Sequence, residues 1–237
     1  MASIFARLGS LISETAATAF AQVVEAVRTF FAGDPELRRK VAFSVAMIAL
    51  SAKMAKADGV VTDAEVTAFR QIFHIPRDEE RNVARLYNLA KQDVAGYEAY
   101  AAKLADLCGE GGENCTMLED ILDGLFHIAR ADGAIHQREM SFLSRVADIF
   151  QMEEAQFAAI AARHAVLGDG DPYLILGVTR QTPMGEIRKR YRQLASENHP
   201  DRMVARGLPK EFVEIANRRM AAINDAFAMI ERSFSPA

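Results

Sequence analysis

Met184-Gly185-Glu186-Ile187-Arg188-Lys189-Arg190-Tyr191-Arg192-Gln193-Leu194-Ala195-Ser196-Glu197-Asn198-His199-Pro200-Asp201 contains a helix, the signal that ends it, and two polar side chains at the end. Ile187, Tyr191 and Leu194 step by four and three along one face, while Arg188 and Arg192 lie four apart on another with Lys189 beside them. One face is built to pack and the other is basic. Proline has no amide proton and pushes the residue before it out of helical dihedrals, so the helix must stop before Pro200, and the turn presents His199 and Asp201 at its tip. Upstream, Pro172 opens a short helix over Tyr173 to Leu176 that Gly177 closes; Thr182 is then expected to cap the quoted helix, with Pro183 at its first position. Downstream, Phe212, Ile215, Ile223, Phe227 and Ile230 mark a third helix of about 20 residues, long enough to pair antiparallel with the second.

The 237 residues carry a formal net charge of -4, unevenly spread: residues 171–237 hold 11 Lys+Arg against 8 Asp+Glu, and the rest hold 17 against 24. The split points to two units with different partners. The cluster Leu167-Gly168-Asp169-Gly170-Asp171-Pro172 breaks helix between them, so 166–170 is read as a linker and 171–237 as the basic unit.

An internal repeat organises the middle of the chain. Lys56-Ala57-Asp58-Gly59-Val60-Val61 recurs as Arg130-Ala131-Asp132-Gly133-Ala134-Ile135, each followed by a glutamate at the same offset, Glu65 and Glu139. Apolar positions follow the same shift of 74: Met47 with Ile121, Ile48 with Leu122, Met54 with Ile128, Val66 with Met140, Phe69 with Leu143, and Ile72 with Val146. Each copy reads as a helix, a tight Asp-Gly turn and a second helix. Further one-sided apolar stripes over Asp78 to Ala90, Tyr97 to Leu107 and Glu153 to Ala165, with no sustained strand alternation, give an all-α fold.

Several functions find no foothold. There is no G-x-G-x-x-G, P-loop, G-x-S-x-G or H-E-x-x-H sequence, so neither an enzyme nor a cofactor is expected. The Asp-Gly repeats imitate half of a calcium loop, but the earlier ligand positions hold Met54 and Lys56 in one copy and Ile128 and Arg130 in the other. Thr62-Asp63-Ala64-Glu65 also reads as a capping box. Cys108 and Cys115 fit neither a zinc spacing nor a disulfide framework and suit a reducing compartment, the cytoplasm. The longest charge-free run, Val41 to Ala52, has 12 residues where a span needs roughly 20, and is expected to be a buried helix. Residues 1–37 form an amphipathic segment broken by Arg7, Glu14, Glu25 and Arg28, expected to pack on its own domain or a second copy, with peripheral membrane association as the alternative. The basic helix, diluted by Glu186 and Glu197 and without a stacking platform, is a poor nucleic-acid footprint.

The doubled Ala-Asp-Gly motif and the acidic bias of residues 38–165 resemble the TerB-like domain, an all-helical module. Some members of that family bind divalent metal at acidic residues; by position the counterparts are Asp58, Glu65, Asp132 and Glu139. No full set of hard-oxygen ligands assembles from their spacing, and a protein-interaction role is the stronger expectation.

Asp171-Pro172-Tyr173-x-x-Leu176-Gly177-Val178, Glu186-Ile187-Arg188-Lys189-x-Tyr191-Arg192-x-Leu194-Ala195, His199-Pro200-Asp201-Arg202 and Ile223-Asn224-x-Ala226-Phe227 stand in the order and spacing of a J domain. The longer connection Met203 to Pro209 and the pairing with a TerB-like region resemble the DjlA subgroup, whose membrane-spanning N-terminus is not carried over. The resemblance implies a co-chaperone that binds a DnaK-type chaperone and stimulates its ATPase. It implies docking through His199, Pro200 and Asp201, the basic residues Arg188, Lys189 and Arg192, and Tyr191, while the TerB-like domain selects site or client. Arg190, where a small alanine is common, and Gly185 depart from the pattern. The alternative reading is a divalent-metal-binding stress module with an accessory J domain.

Overall fold

The computed structural model describes residues 33–58, 67, 69, 77, 80–92, 96–106, 116–165, 170–205, 209 and 213–234, and every regular element among them is helical. In chain order the helices are α1 (Pro35–Asp58), α2 (Glu80–Gln92), α3 (Tyr97–Asp106), α4 (Thr116–Ala129), α5 (Gln137–Ile149), α6 (Glu154–Arg163), α7 (Pro172–Leu176), α8 (Met184–Glu197), α9 (Pro200–Ala205) and α10 (Val213–Phe234). Segment 1–32, Glu65, the first capping box, both cysteines and linker residues 166–169 lie outside the described residues, as does the side chain of Asp58.

Asp34 starts α1 by accepting the Leu37 amide on Oδ1 at 3.0 Å, with Pro35 at the first helical position. The helix therefore begins three residues before the expected boundary at 38, and Leu37 packs on the bundle core. The charge-free run is its middle: Val41 to Met54 are all buried, an all-round burial that fits the centre of a bundle. α2, α3, α4 and α5 pack around it. The alanines let them approach, and the buried hydroxyls are satisfied within the helix, Ser51 donating to the Met47 carbonyl at 2.6 Å and Ser44 to that of Lys40 at 3.0 Å. Phe43, Met47, Ile48, Phe126 and Phe142 are enclosed, each side chain contributing roughly 1.5–3 kcal/mol by leaving water. The repeat pairs Met47/Ile121, Ile48/Leu122 and Met54/Ile128 all occupy this core, so the duplicated pattern is a duplicated packing surface.

α8 and α10 form the second unit's antiparallel hairpin: contacts run from Arg188 with Glu231, through Tyr191 with Asn224, to Asn198 with Arg219. Leu176, Ile187, Ile223, Ala226 and Ile230 make its small core. Asp171 caps α7 by accepting the Tyr173 amide at 3.0 Å, and Gly177 closes it at φ 64°, a conformation open to glycine. One cap differs from expectation. Pro183, extended at φ -60° and ψ 144°, is the residue before α8, and the Thr182 hydroxyl instead accepts the Thr179 amide at 3.1 Å, closing the preceding turn.

The hairpin is not a separate body. Met203 of α9 and Ile215 and Ala216 of α10 belong to the same apolar cluster as α1, α4 and α5. Gly124 of α4 makes this approach possible: a Cβ there would lie 2.6 Å from Met47 Cε and 2.9 Å from Ile215 Cδ1.

Candidate functional site

Pro200, expected as the stop of one helix, is also the first residue of the next, α9, where its missing amide proton costs nothing. The turn is therefore a two-residue joint, Asn198-His199, between α8 and α9. The Met203 amide donates to the His199 carbonyl at 3.0 Å, fixing the start of α9. His199 Nδ1 accepts the Asp201 amide at 3.3 Å, which puts the proton of a neutral ring on Nε2. Arg202 reaches back to α8, donating to the Ser196 hydroxyl at 2.7 Å and carbonyl at 3.2 Å. Held this way, the His199 side chain is 56% exposed and that of Asp201 94%, with 3.8 Å between Nδ1 and the nearer Asp201 carboxylate oxygen.

The basic face stands on α8 behind the joint. Arg188 pairs with Glu231 across the hairpin at 3.2 Å, Lys189 lies 4.0 Å from Glu186, and Arg192 Nε donates to the Arg188 carbonyl at 3.3 Å. All three remain exposed. Tyr191 stacks on Phe227 with ring centroids 4.1 Å apart and donates its hydroxyl proton to Asn224 Oδ1 at 3.1 Å, so one ring face is committed to packing. Arg190 serves the fold rather than the basic face, its Nε donating to the Leu176 carbonyl at 3.3 Å and so satisfying the C-terminus of α7.

Sequence reading missed a buried charge centre behind the joint. Arg219 of α10 donates from Nε to Asp123 Oδ2 at 3.0 Å and from Nη1 to Asn198 Oδ1 at 3.2 Å, and Nη1 lies 2.7 Å from Asp120 Oδ1. The other Asp123 oxygen accepts Arg163 Nη2 at 3.0 Å and contacts His164 Nε2 at 3.1 Å. Burial alone would raise the Asp123 carboxyl, but the Arg219 and Arg163 guanidiniums hold it well below the usual carboxylate range. Asp120 behaves differently. Its Oδ1 is close to Arg219 without hydrogen-bond alignment, and burial pushes it up to about 6 against the pull of Arg219. Asp120, Asp123 and His127 sit at three- and four-residue steps along α4, a polar stripe on a mostly apolar helix and the one sequence signal that could have found the centre.

The metal candidates with described side chains lie elsewhere, on the second Asp-Gly turn, where Gly133 adopts φ 107°. Glu139 Oε2 accepts the His136 amide at 2.8 Å, half of a capping box, and Asp132 contacts the Ala134 amide at 3.4 Å and His136 Nε2 at 3.1 Å. Both carboxylates are engaged in shaping the turn. Among the described residues no three His, Cys, Asp or Glu side chains gather as a metal site, and no helix is long and apolar enough to cross a membrane.

Residues 44–162 match the family model of tellurite resistance protein TerB, and residues 171–230 match the DnaJ domain. The chain is 28% identical over 223 residues to co-chaperone protein DjlA of Photobacterium profundum, covering 82% of this chain and 78% of the relative. It is 24% identical over 239 residues to co-chaperone protein DjlA of Vibrio cholerae, with 86% and 82% covered. A shorter stretch of 61 residues is 43% identical to co-chaperone protein DjlA of Shewanella oneidensis, covering 26% of this chain and 23% of the relative. No solved structure matches the chain. The DnaJ-domain match and the DjlA relatives define a co-chaperone-like protein whose J domain follows the helical bundle. The chain belongs to the TerB family and has the TerB-then-DnaJ order of the DjlA-like co-chaperones.

Proposed function

We propose that the chain binds a DnaK-type chaperone through the His199-Pro200-Asp201 joint and the basic face of α8 and stimulates its ATPase, the TerB-like bundle selecting the site or client. The exposure of Asp201 carries this reading: its carboxylate stands almost wholly in solvent on a joint otherwise tied down by Arg202 and the Met203 amide. It is thus poised to accept charge-assisted hydrogen bonds from a partner's arginine, while Arg188, Lys189 and Arg192 face an acidic surface and contribute mainly orientation and on-rate. The ATP chemistry belongs to the partner. The likeness to proteins named DjlA co-chaperone supports the same reading.

Single-turnover ATP hydrolysis by a purified DnaK-type chaperone tests it. The chain should raise the rate and Asp201→Asn should abolish the rise; equal rates with wild type and variant would overturn the role of Asp201, and no stimulation by the wild type would overturn the function.

A further inference from the structure

We infer that Arg219 is a positioning residue through which the TerB-like bundle sets the geometry of the His-Pro-Asp joint, an inference that rests on the function proposed above. Asn198, immediately before His199, is buried and fully committed. Its backbone amide and side-chain Nδ2 both donate to the Leu194 carbonyl, at 2.9 and 2.8 Å, and its Oδ1 accepts Arg219 Nη1. Arg219 is in turn fixed by Asp123 and Asp120 on α4, and Asp123 by Arg163 and His164 at the end of α6. On the other side of the joint, Met203 is buried in the bundle's apolar cluster, and its amide holds the His199 carbonyl. The tripeptide is therefore bracketed by two residues, Met203 anchored directly on the other unit and Asn198 through Arg219.

The hairpin's own core, Leu176, Ile187, Ile223, Ala226 and Ile230 with Leu194 at its edge, includes neither Asn198 nor Met203. Without the bundle, Met203 would face water and Arg219, still within reach of Asn198, would lose the carboxylates that fix it. A guanidinium suits this position because its planar fork can span Asp123 and Asn198 at once; an ammonium is a single point donor. The predicted consequence is that the partner-facing carboxylate of Asp201 is preorganised by residues far from the docking surface, which lowers the ordering cost of docking.

Amide hydrogen exchange and chaperone stimulation on the full chain test this together. Arg219→Lys keeps a cation among the buried carboxylates but breaks the span, and Asp123→Asn loosens Arg219 from the bundle side without touching the hairpin. Exchange at the Met203 amide should accelerate roughly tenfold relative to that at Ile48 in the bundle core, the size expected for losing a hydrogen bond to a charged group. The chain concentration giving half-maximal stimulation should rise severalfold in both variants while the maximal rate stays unchanged. Equal acceleration at Met203 and Ile48, or no acceleration at Met203, would reduce Arg219 to a docking residue and overturn the inference. A wild-type chain that fails to stimulate any DnaK-type chaperone would overturn the function, and the exchange result would still decide the role of Arg219.

Discussion

Arg219 on α10 and Asp123 on α4, 96 positions apart, share a 3.0 Å hydrogen bond between side chains that are 2% and 3% exposed. Removing two charges from water is costly, and such a pair often contributes little net stability against a well-packed apolar alternative. Breaking it is another matter, because a lone charge then stays buried. Here the broken pair would strand charge on both sides of the contact between the TerB-like and J units, so the cost falls on the seam that joins the two family modules.

Asp123→Ala leaves the Arg219 and Arg163 guanidiniums facing a cavity, and the expected loss is about 3–5 kcal/mol. Urea unfolding followed by far-ultraviolet circular dichroism should show one cooperative transition in the wild type, moved to lower urea in the variant. Two separate wild-type transitions, with the variant shifting only one, would contradict the shared core.

Two groups on α4 give opposite pH dependences. Burial, with Glu119 and Asp123 adding to it against Arg219, pushes Asp120 up to about 6 from an ordinary 3.8. It binds its proton more tightly in the folded chain, so its stabilisation is full below pH 3.8 and is lost as pH rises through 6, by about 2–3 kcal/mol. Burial, helped by Arg218, His164 and Arg130 against Asp123, lowers His127 from 6.5 to about 4, so its stabilisation is full above pH 6.5 and is lost as pH falls through 4. Asp123, held below the usual range, begins to lose its contribution only under stronger acid. The wild-type urea midpoint should therefore vary little between pH 4.5 and 6. Asp120→Asn should leave it rising with pH and His127→Gln should leave it falling; parallel curves for all three proteins would refute this assignment.

Close backbone approach makes two glycines sensitive. At Gly124 the neighbours are the far ends of Met47 and Ile215, but Met47 is enclosed, and Gly124→Ala should cost about 1–3 kcal/mol through overpacking. At Gly170 a Cβ would lie 2.6 Å from the Ala162 carbonyl oxygen, a backbone atom that cannot rotate away. Gly170→Ala should displace α7 from α6, seen as larger amide chemical-shift changes in residues 171–176 than in α8. Unchanged spectra would show that the linker has room the structure does not indicate.

Glu231 partly neutralises the basic face by pairing with Arg188 across the hairpin. Glu231→Gln should raise the association rate with a DnaK-type chaperone severalfold at low salt, with the gain fading as ionic strength rises. A salt-independent change, or a slower rate, would remove Arg188 from the encounter surface.

The parts legible in the sequence are those with local causes. Pro200 stops the helix that runs into it, Gly177 and Gly133 supply positive φ at turns, and a charge-free run too short for a membrane belongs in a core; α1 lies there. The joint's second half is less visible, because Pro200 both stops α8 and begins α9, and one residue type carries both signals. Thr182 has the spacing of a helix cap, but its hydroxyl meets a competing amide, that of Thr179, three residues back.

Sequence by itself determined the helical periods, the duplicated core positions, the order of the two units and the exposed tripeptide, because each depends on neighbours within a few turns of chain. Tertiary structure alone decided which charges are buried. Arg218 and Arg219 are adjacent and chemically identical, yet one pairs with Glu214 at the surface and the other closes an ion cluster with a helix of the other unit. A helix rotates successive residues by about 100°, so adjacent side chains face different surroundings, and only the packing of α10 on α4 determines which surroundings those are.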